Sequence, residues 1–177
     1  RQVTNDLAND QRVKKVCDTL TKNNFNITLV GRQLQHSLNI NRPYETVRFK
    51  LIFNKGALFY MEYNIRLFFF LLYRRFDIYH SNDLDTLLPM WLSALIFNKR
   101  LVYDSHEYFL GVPEIQNRYF VKKVWSSIES FIFPKLKHVF TVNKSISDLY
   151  FKDYKVRPLV VRNLPNKSSL IKVKTFY

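Results

Sequence analysis

Residues 77–108 read DIYHSNDLDTLLPMWLSALIFNKRLVYDSHEY. The stretch opens with a short apolar run, Asp77–His80, passes through a polar turn, Ser81–Asp85, and enters an apolar segment that continues to about Phe97. A second apolar run, Arg100–Tyr103, follows and stops at Asp104-Ser105-His106-Glu107. Strand, turn, helix, strand is one βαβ unit, and a chain built from such units forms a parallel sheet with helices on both faces. Asp85 or Thr86 is placed to cap the helix. The helix itself, LLPMWLSALIF, is apolar nearly all round, which predicts deep burial.

The same alternation extends in both directions. Toward the N-terminus, Val3–Thr4 reads as the tail of a strand and Asn5–Asp10 as a polar turn. Val13, Val16, Cys17 and Leu20 then recur at helical spacing. Asn26–Gly31 is a strand, Gln33–Tyr44 a polar loop, and Thr46–Phe53 an alternating strand exposed on one side. Ala57–Arg75 is a long helix. It contains the run Leu67–Tyr73, but Glu62, Asn64 and Arg66 interrupt it, and a membrane span wants about 20 mostly apolar residues. It reads as a core helix with one heavily buried side.

Toward the C-terminus, Arg118–Phe133 is a helix stopped by Pro134. His138–Val142 is a strand, Ser145–Phe151 a short helix, and Leu159–Arg162 the last strand. Residues 1–166 make one domain, and 167–177 read as the start of a linker or tail.

Composition narrows the function classes. The 177 residues carry 28 Lys and Arg against 14 Asp and Glu, a net charge of +14. Such a chain is drawn to polyanions, whether nucleic acid, anionic lipid or phosphorylated substrate. Cys17 is the single cysteine, which excludes an intrachain disulfide and fits a reducing, cytoplasmic setting. In its helical stretch it reads as a small buried apolar residue. No G-x-G-x-x-G follows the first strand, so a dinucleotide enzyme is disfavoured.

A non-enzymatic nucleic-acid module remains the alternative reading. The aromatics, however, follow core periodicity and are not interleaved with the lysines, and no RNA- or DNA-binding signature is present. Specific nucleic acid is therefore not an expected partner. The basic pairs Lys14–Lys15, Arg74–Arg75, Lys122–Lys123 and Lys135–Lys137, with Trp125, Phe131 and Phe133, suggest peripheral contact with an anionic membrane on its inner face. A solvated helix face is the plain alternative for any one of them.

Ligands of such sheets sit beyond the carboxyl ends of the strands. That rule selects the loops 5–10, 32–35, 81–85, 104–108 and 143–145. In the fourth, His106 stands between Asp104 and Glu107, where a carboxylate can fix one tautomer and leave a nitrogen to bond a ligand. Asp10 and Arg12 begin the first helix, where Arg12 either grips a phosphate or pairs with Asp10. Asn5, Asp6, Asp83, Asn143 and Lys144 complete the candidate binding residues. Asp83 and Asp85 also serve the simpler roles of turn and cap. Two aspartates in a turn do not make a cation site, and no metal is expected. His80 is read as packing.

At these loops the chain resembles the group 1, or family 4, retaining glycosyltransferases of GT-B fold. VTNDLANDQRVKKVCDTL with NFNITLVGR is similar to their opening, and DIYHSNDLDTLLPMWLSAL to their central strand and helix. KRLVYDSHEYF is similar to the strand that ends in a histidine followed by an acidic residue. SSIESFIFPKLKHVFTVNKSISDLY resembles the last full unit, and VVRNLPN the crossing to a second domain. Order and spacing carry the likeness, from Val3 to about Asn166; no single motif is specific. The first loop departs from the family pattern in having no glycine pair.

The resemblance implies the N-terminal, acceptor-side half of a two-domain enzyme. That enzyme would move a sugar, with retention, from a nucleotide-sugar donor to a glycan or lipid-linked acceptor, as in polysaccharide biosynthesis. It implies no cofactor; the nucleotide sugar is a co-substrate bound mainly by the other half, so this half alone is expected to be inactive. His106 would match the family's N-domain histidine beside the transferred sugar, and 5–10 its first loop.

Overall fold

The computed structural model describes residues 2–7, 10–111 and 118–164. Seven strands form one sheet: β1 (Gln2–Asp6), β2 (Thr28–Gln33), β3 (Glu45–Lys50), β4 (Ile78–Asn82), β5 (Arg100–Ser105), β6 (His138–Thr141) and β7 (Leu159–Val160). Their spatial order is β3-β2-β1-β4-β5-β6-β7, and every pairing is parallel. The helices are α1 (Gln11–Lys22), α2 (Gly56–Tyr73), α3 (Leu87–Ile96), α4 (Tyr119–Ile132) and α5 (Lys144–Tyr154), with short 3₁₀ turns at Leu84–Thr86, Phe109–Gly111 and Phe133–Lys135. The expected Rossmann-like α/β architecture is what the chain adopts.

The two layers follow from strand alternation. Leu29 and Val30 are neighbours on β2, yet Leu29 packs with Val13 and Cys17 of α1, and Val30 with Phe59, Tyr63 and Leu67 of α2. Adjacent side chains on a strand point to opposite faces, so α1 covers one face and α2 the other. α3 joins α2 in one cluster through Met90 and Ala94. Through Leu87 it joins a second cluster with Trp125 and Ile132 of α4 and Tyr150 of α5. Helices α2–α5 therefore share one face, as right-handed crossovers require for this strand order. Cys17 is buried in the α1 layer, as its helical spacing suggests.

Several boundaries differ from the sequence reading. β3 ends at Lys50, short of Phe53. Glu62 of α2 accepts hydrogen bonds from the amides of Ile52 and Phe53 (2.9–3.1 Å), pulling those residues out of the ladder into an exposed loop. α5 runs to Tyr154 because Lys155 takes a left-handed C-cap there. The α3 segment is less deeply buried than its composition predicts: Leu95 and Ile96, at its end, are exposed. Neither Asp85 nor Thr86 caps it through a side chain. The expectation that Trp125 and Phe133 rest on a membrane is corrected, since both are buried in the core, and only Phe131 of that trio is exposed. Among the described residues no helix is long and apolar enough to cross a membrane. The assigned tail, 167–177, lies outside the described residues.

Candidate active site

The strand order reverses between β1 and β4: β1 pairs with β2 on one side and with β4 on the other. In sheets of this kind ligands sit beyond the carboxyl ends of the strands at such a switch point. Four side chains converge there from three parts of the sequence: Arg12 from α1, Asp83 after β4, and Asp104 at the end of β5 with His106 just beyond it.

Asp83 is the hinge of the arrangement. Its backbone sits at φ 61°, ψ 171°, a region nearly reserved for glycine, where a side chain costs about 1–3 kcal/mol. Three contacts fix it there. Its amide donates to the Asp104 carbonyl (3.0 Å), its carbonyl accepts from Ser81 Oγ (3.2 Å), and its Oδ1 accepts from the His106 amide (2.9 Å). The second oxygen, Oδ2, then lies 3.3 Å from His106 Nδ1. Strain in β4's exit turn thus aims one carboxylate at both the backbone and the ring of His106.

Asp104 holds the other side. Tyr103 faces the α2–α5 layer, so Asp104, one residue on, points to the α1 face. There Arg12 Nη2 donates to Asp104 Oδ1 at 2.6 Å, a charge-assisted contact between two largely buried groups. Asp104 Oδ2 is left facing His106 Nε2 at 3.5 Å and His80 Nε2 at 3.9 Å. The imidazole of His106 is therefore bracketed by carboxylates, with Nε2 shielded. Burial raises the Asp83 carboxyl above its usual range, and the neighbouring His106 opposes that shift.

Beneath the crevice lies a second acid. Asp85 is buried, accepts from the Thr4 hydroxyl, and has its own carbonyl held by Asn64 Nδ2 at 2.9 Å. Burial, with the Asp83 charge beside it, pushes this carboxyl up to about 7. A further acid supports the His106 loop from below. Glu129 of α4 is fully buried, with Tyr154 Oη at 2.8 Å and Tyr150 Oη at 3.4 Å; burial raises it to about 7. Tyr150 Oη meets Ser105 Oγ at 2.8 Å, and Ser105 Oγ donates to the Glu107 carbonyl at 2.7 Å.

The residues expected from sequence divide accordingly. Asp83, Asp104, His106 and Arg12 come together. Arg12 pairs with Asp104, whereas the sequence alternatives were a phosphate or Asp10. Asp10 is the α1 N-cap, accepting from the Val13 amide at 2.9 Å. Asn143 caps α5 through the Ile146 amide (2.9 Å), and Lys144 is exposed beside it. The Glu107 side chain is exposed and its loop contact is through the carbonyl; Asp83, 23 residues earlier, takes the place expected for it beside His106. Asp83 and Asp85 are not simple turn and cap residues. Asn5 and Asp6 end β1 at the crevice, with side chains outside the described residues. Among the described residues no group of three His, Cys, Asp or Glu is arranged to hold a metal ion.

A parallel sheet in this strand order, with a histidine bracketed at its switch point, meets the family question directly. Residues 11–166 match the model of Glycosyltransferase Family 4. The chain belongs to that family. Its fold is the Rossmann-like half of a GT-B architecture, and the match covers the N-terminal type of domain. A search of curated proteins finds no match to this glycosyltransferase domain. Sequence reasoning had no signal for the Thr4–Asp85 contact. Glu129 did leave one: it falls on the inward stripe of Trp125, Glu129 and Ile132, at i, i+4 and i+7.

Proposed function

We propose that this family 4 domain seats the acceptor, and one side of the transferred sugar, in a retaining transfer from a nucleotide-sugar donor. The observation that carries the reading is the bracketing of His106 by Asp83 and Asp104 at the mouth of the crevice. Asp83 anchors both the amide and Nδ1, so the ring can turn little. The Nε2 contact to Asp104 is long, and apo contacts of this kind tighten or exchange when substrate arrives. A sugar hydroxyl entering there displaces that contact and donates to Nε2, while Nδ1–H stays on Asp83. Asp104 keeps its bond to Arg12, so its charge stays compensated.

In this account the domain supplies orientation and fixed dipoles, which need no reorganisation as charge develops. Stabilisation of the departing diphosphate falls to a second domain closing over the crevice. The domain alone then binds donor weakly and turns over nothing. Replacing His106 by Ala in the full-length enzyme is expected to lower kcat by at least about 10²-fold, measured as sugar transfer across a panel of donors and acceptors. Wild-type rates in H106A would remove His106 from the mechanism.

A further inference from the structure

The outer surface of the α2 layer is unusually apolar. α2 turns Phe59, Tyr63, Leu67 and Leu71 into the core, yet its opposite face carries Leu58, Met61, Ile65, Phe69 and Tyr73, all exposed, Tyr73 at 89%. Spacings of three and four residues put these five on one stripe along the whole helix, about 27 Å long at 1.5 Å per residue. The polar residues interrupting it, Glu62 and Arg66, neutralise each other at 2.8 Å. Glu62 also draws in the loop that exposes Ile52 and Phe53, adding two apolar side chains at one end.

α4, in the same layer, adds apolar surface of its own. α4 exposes Phe120, Val124 and Phe131, and Lys135 Nζ rests 3.1 Å from the Phe131 ring centroid, so a cation marks the rim of the apolar patch. A soluble monomer rarely leaves so long an apolar face to water. Charge decides what covers it. A second copy would bring another +14 against the first. An anionic lipid leaflet attracts the same charge, by about 1 kcal/mol per Lys or Arg near the surface, and accepts aromatic and aliphatic side chains at headgroup depth.

We propose that the outer face of α2, continued by α4, docks on an anionic bilayer with α2 lying in the interface plane. Helices of a parallel sheet run opposite to its strands, so their N-terminal ends lie on the crevice edge. A bilayer held against this face therefore runs alongside the crevice opening. The inference rests on the surface alone, and it stands or falls separately from the glycosyl-transfer reading.

The test is flotation of the full-length protein with vesicles of phosphatidylcholine, alone or mixed with phosphatidylglycerol, for wild type and for the charge-preserving Ile65→Ser/Phe69→Ser variant. Both replaced side chains are exposed, and circular dichroism checks that the fold is kept. The expected result is binding to the anionic vesicles that salt weakens, at least tenfold weaker in the variant. Wild type that floats with neither vesicle, or a variant that floats as well as wild type, overturns the proposal. So does sedimentation showing a dimer that the variant dissociates, because a second copy then covers the face.

Discussion

Asp83 holds a carboxylate where the backbone favours glycine, and the cost of that geometry can be separated from the value of the side chain. Asp83→Ala and Asp83→Gly both remove the anchor on His106, but only glycine relieves φ 61°. Asp83→Ala is therefore expected to be less stable than Asp83→Gly by about 1 kcal/mol or more, read from denaturant midpoints at equal m-value. Equal stability of the two variants would mean that the turn carries no strain.

Glu129 makes a second residue-scale prediction. Burial lifts its carboxyl from the ordinary value of 4.5 to about 7, so the folded state holds a proton that the unfolded chain releases. Stability is then highest below about 4.5, falls as pH rises from there to about 7, and levels off above it. The full loss is about 3 kcal/mol. Asp85 adds a loss of the same sign, so the measurement is the difference between wild type and Glu129→Gln. Wild type is expected to lose stability relative to the variant across that window; a difference that stays constant with pH would show that Glu129 is ionised in the fold.

At the scale of elements, the caps and the strand alternation do most of the positioning. Asp10 fixes the start of α1, and so the place from which Arg12 reaches Asp104. Asp10→Ala is expected to cost about 1 kcal/mol and to loosen that ion pair, which a thermal melt and a double-mutant cycle with Arg12→Ala would detect as coupling.

Much of this level was legible beforehand. Short apolar runs at β2, β4 and β5, the alternation in β3 and the helical spacing in α1 gave the elements and the parallel sheet. The loop that carries His106 was found because it lies where a strand of this topology must end. What escaped was set by contacts distant in sequence. The reach of Asp83 to His106 depends on a left-handed turn that no local composition demands at an aspartate. The exit of Ile52 and Phe53 from β3 depends on Glu62, ten and nine residues later. Apolar composition also misjudged burial: α3 is apolar nearly all round and reads as deeply buried, yet Leu95 and Ile96 at its end are exposed.

The whole molecule is a basic three-layer α/β platform. One face of its sheet is covered by α1, the other by α2–α5, and the His106 cluster lies at the strand ends between them. The +14 charge suits both an anionic donor approaching the crevice and an anionic leaflet alongside it, and long-range attraction of this kind weakens with salt.

The central claim is that this domain is the acceptor-side half of a two-domain sugar transferase. It is tested most directly by calorimetric titration of the domain, and of the full-length protein, with a panel of nucleoside diphosphate sugars. The account predicts binding by the full-length protein and little or none by the domain alone. Tight binding of a nucleotide sugar by the domain alone would contradict it, because the crevice would then hold a complete donor site.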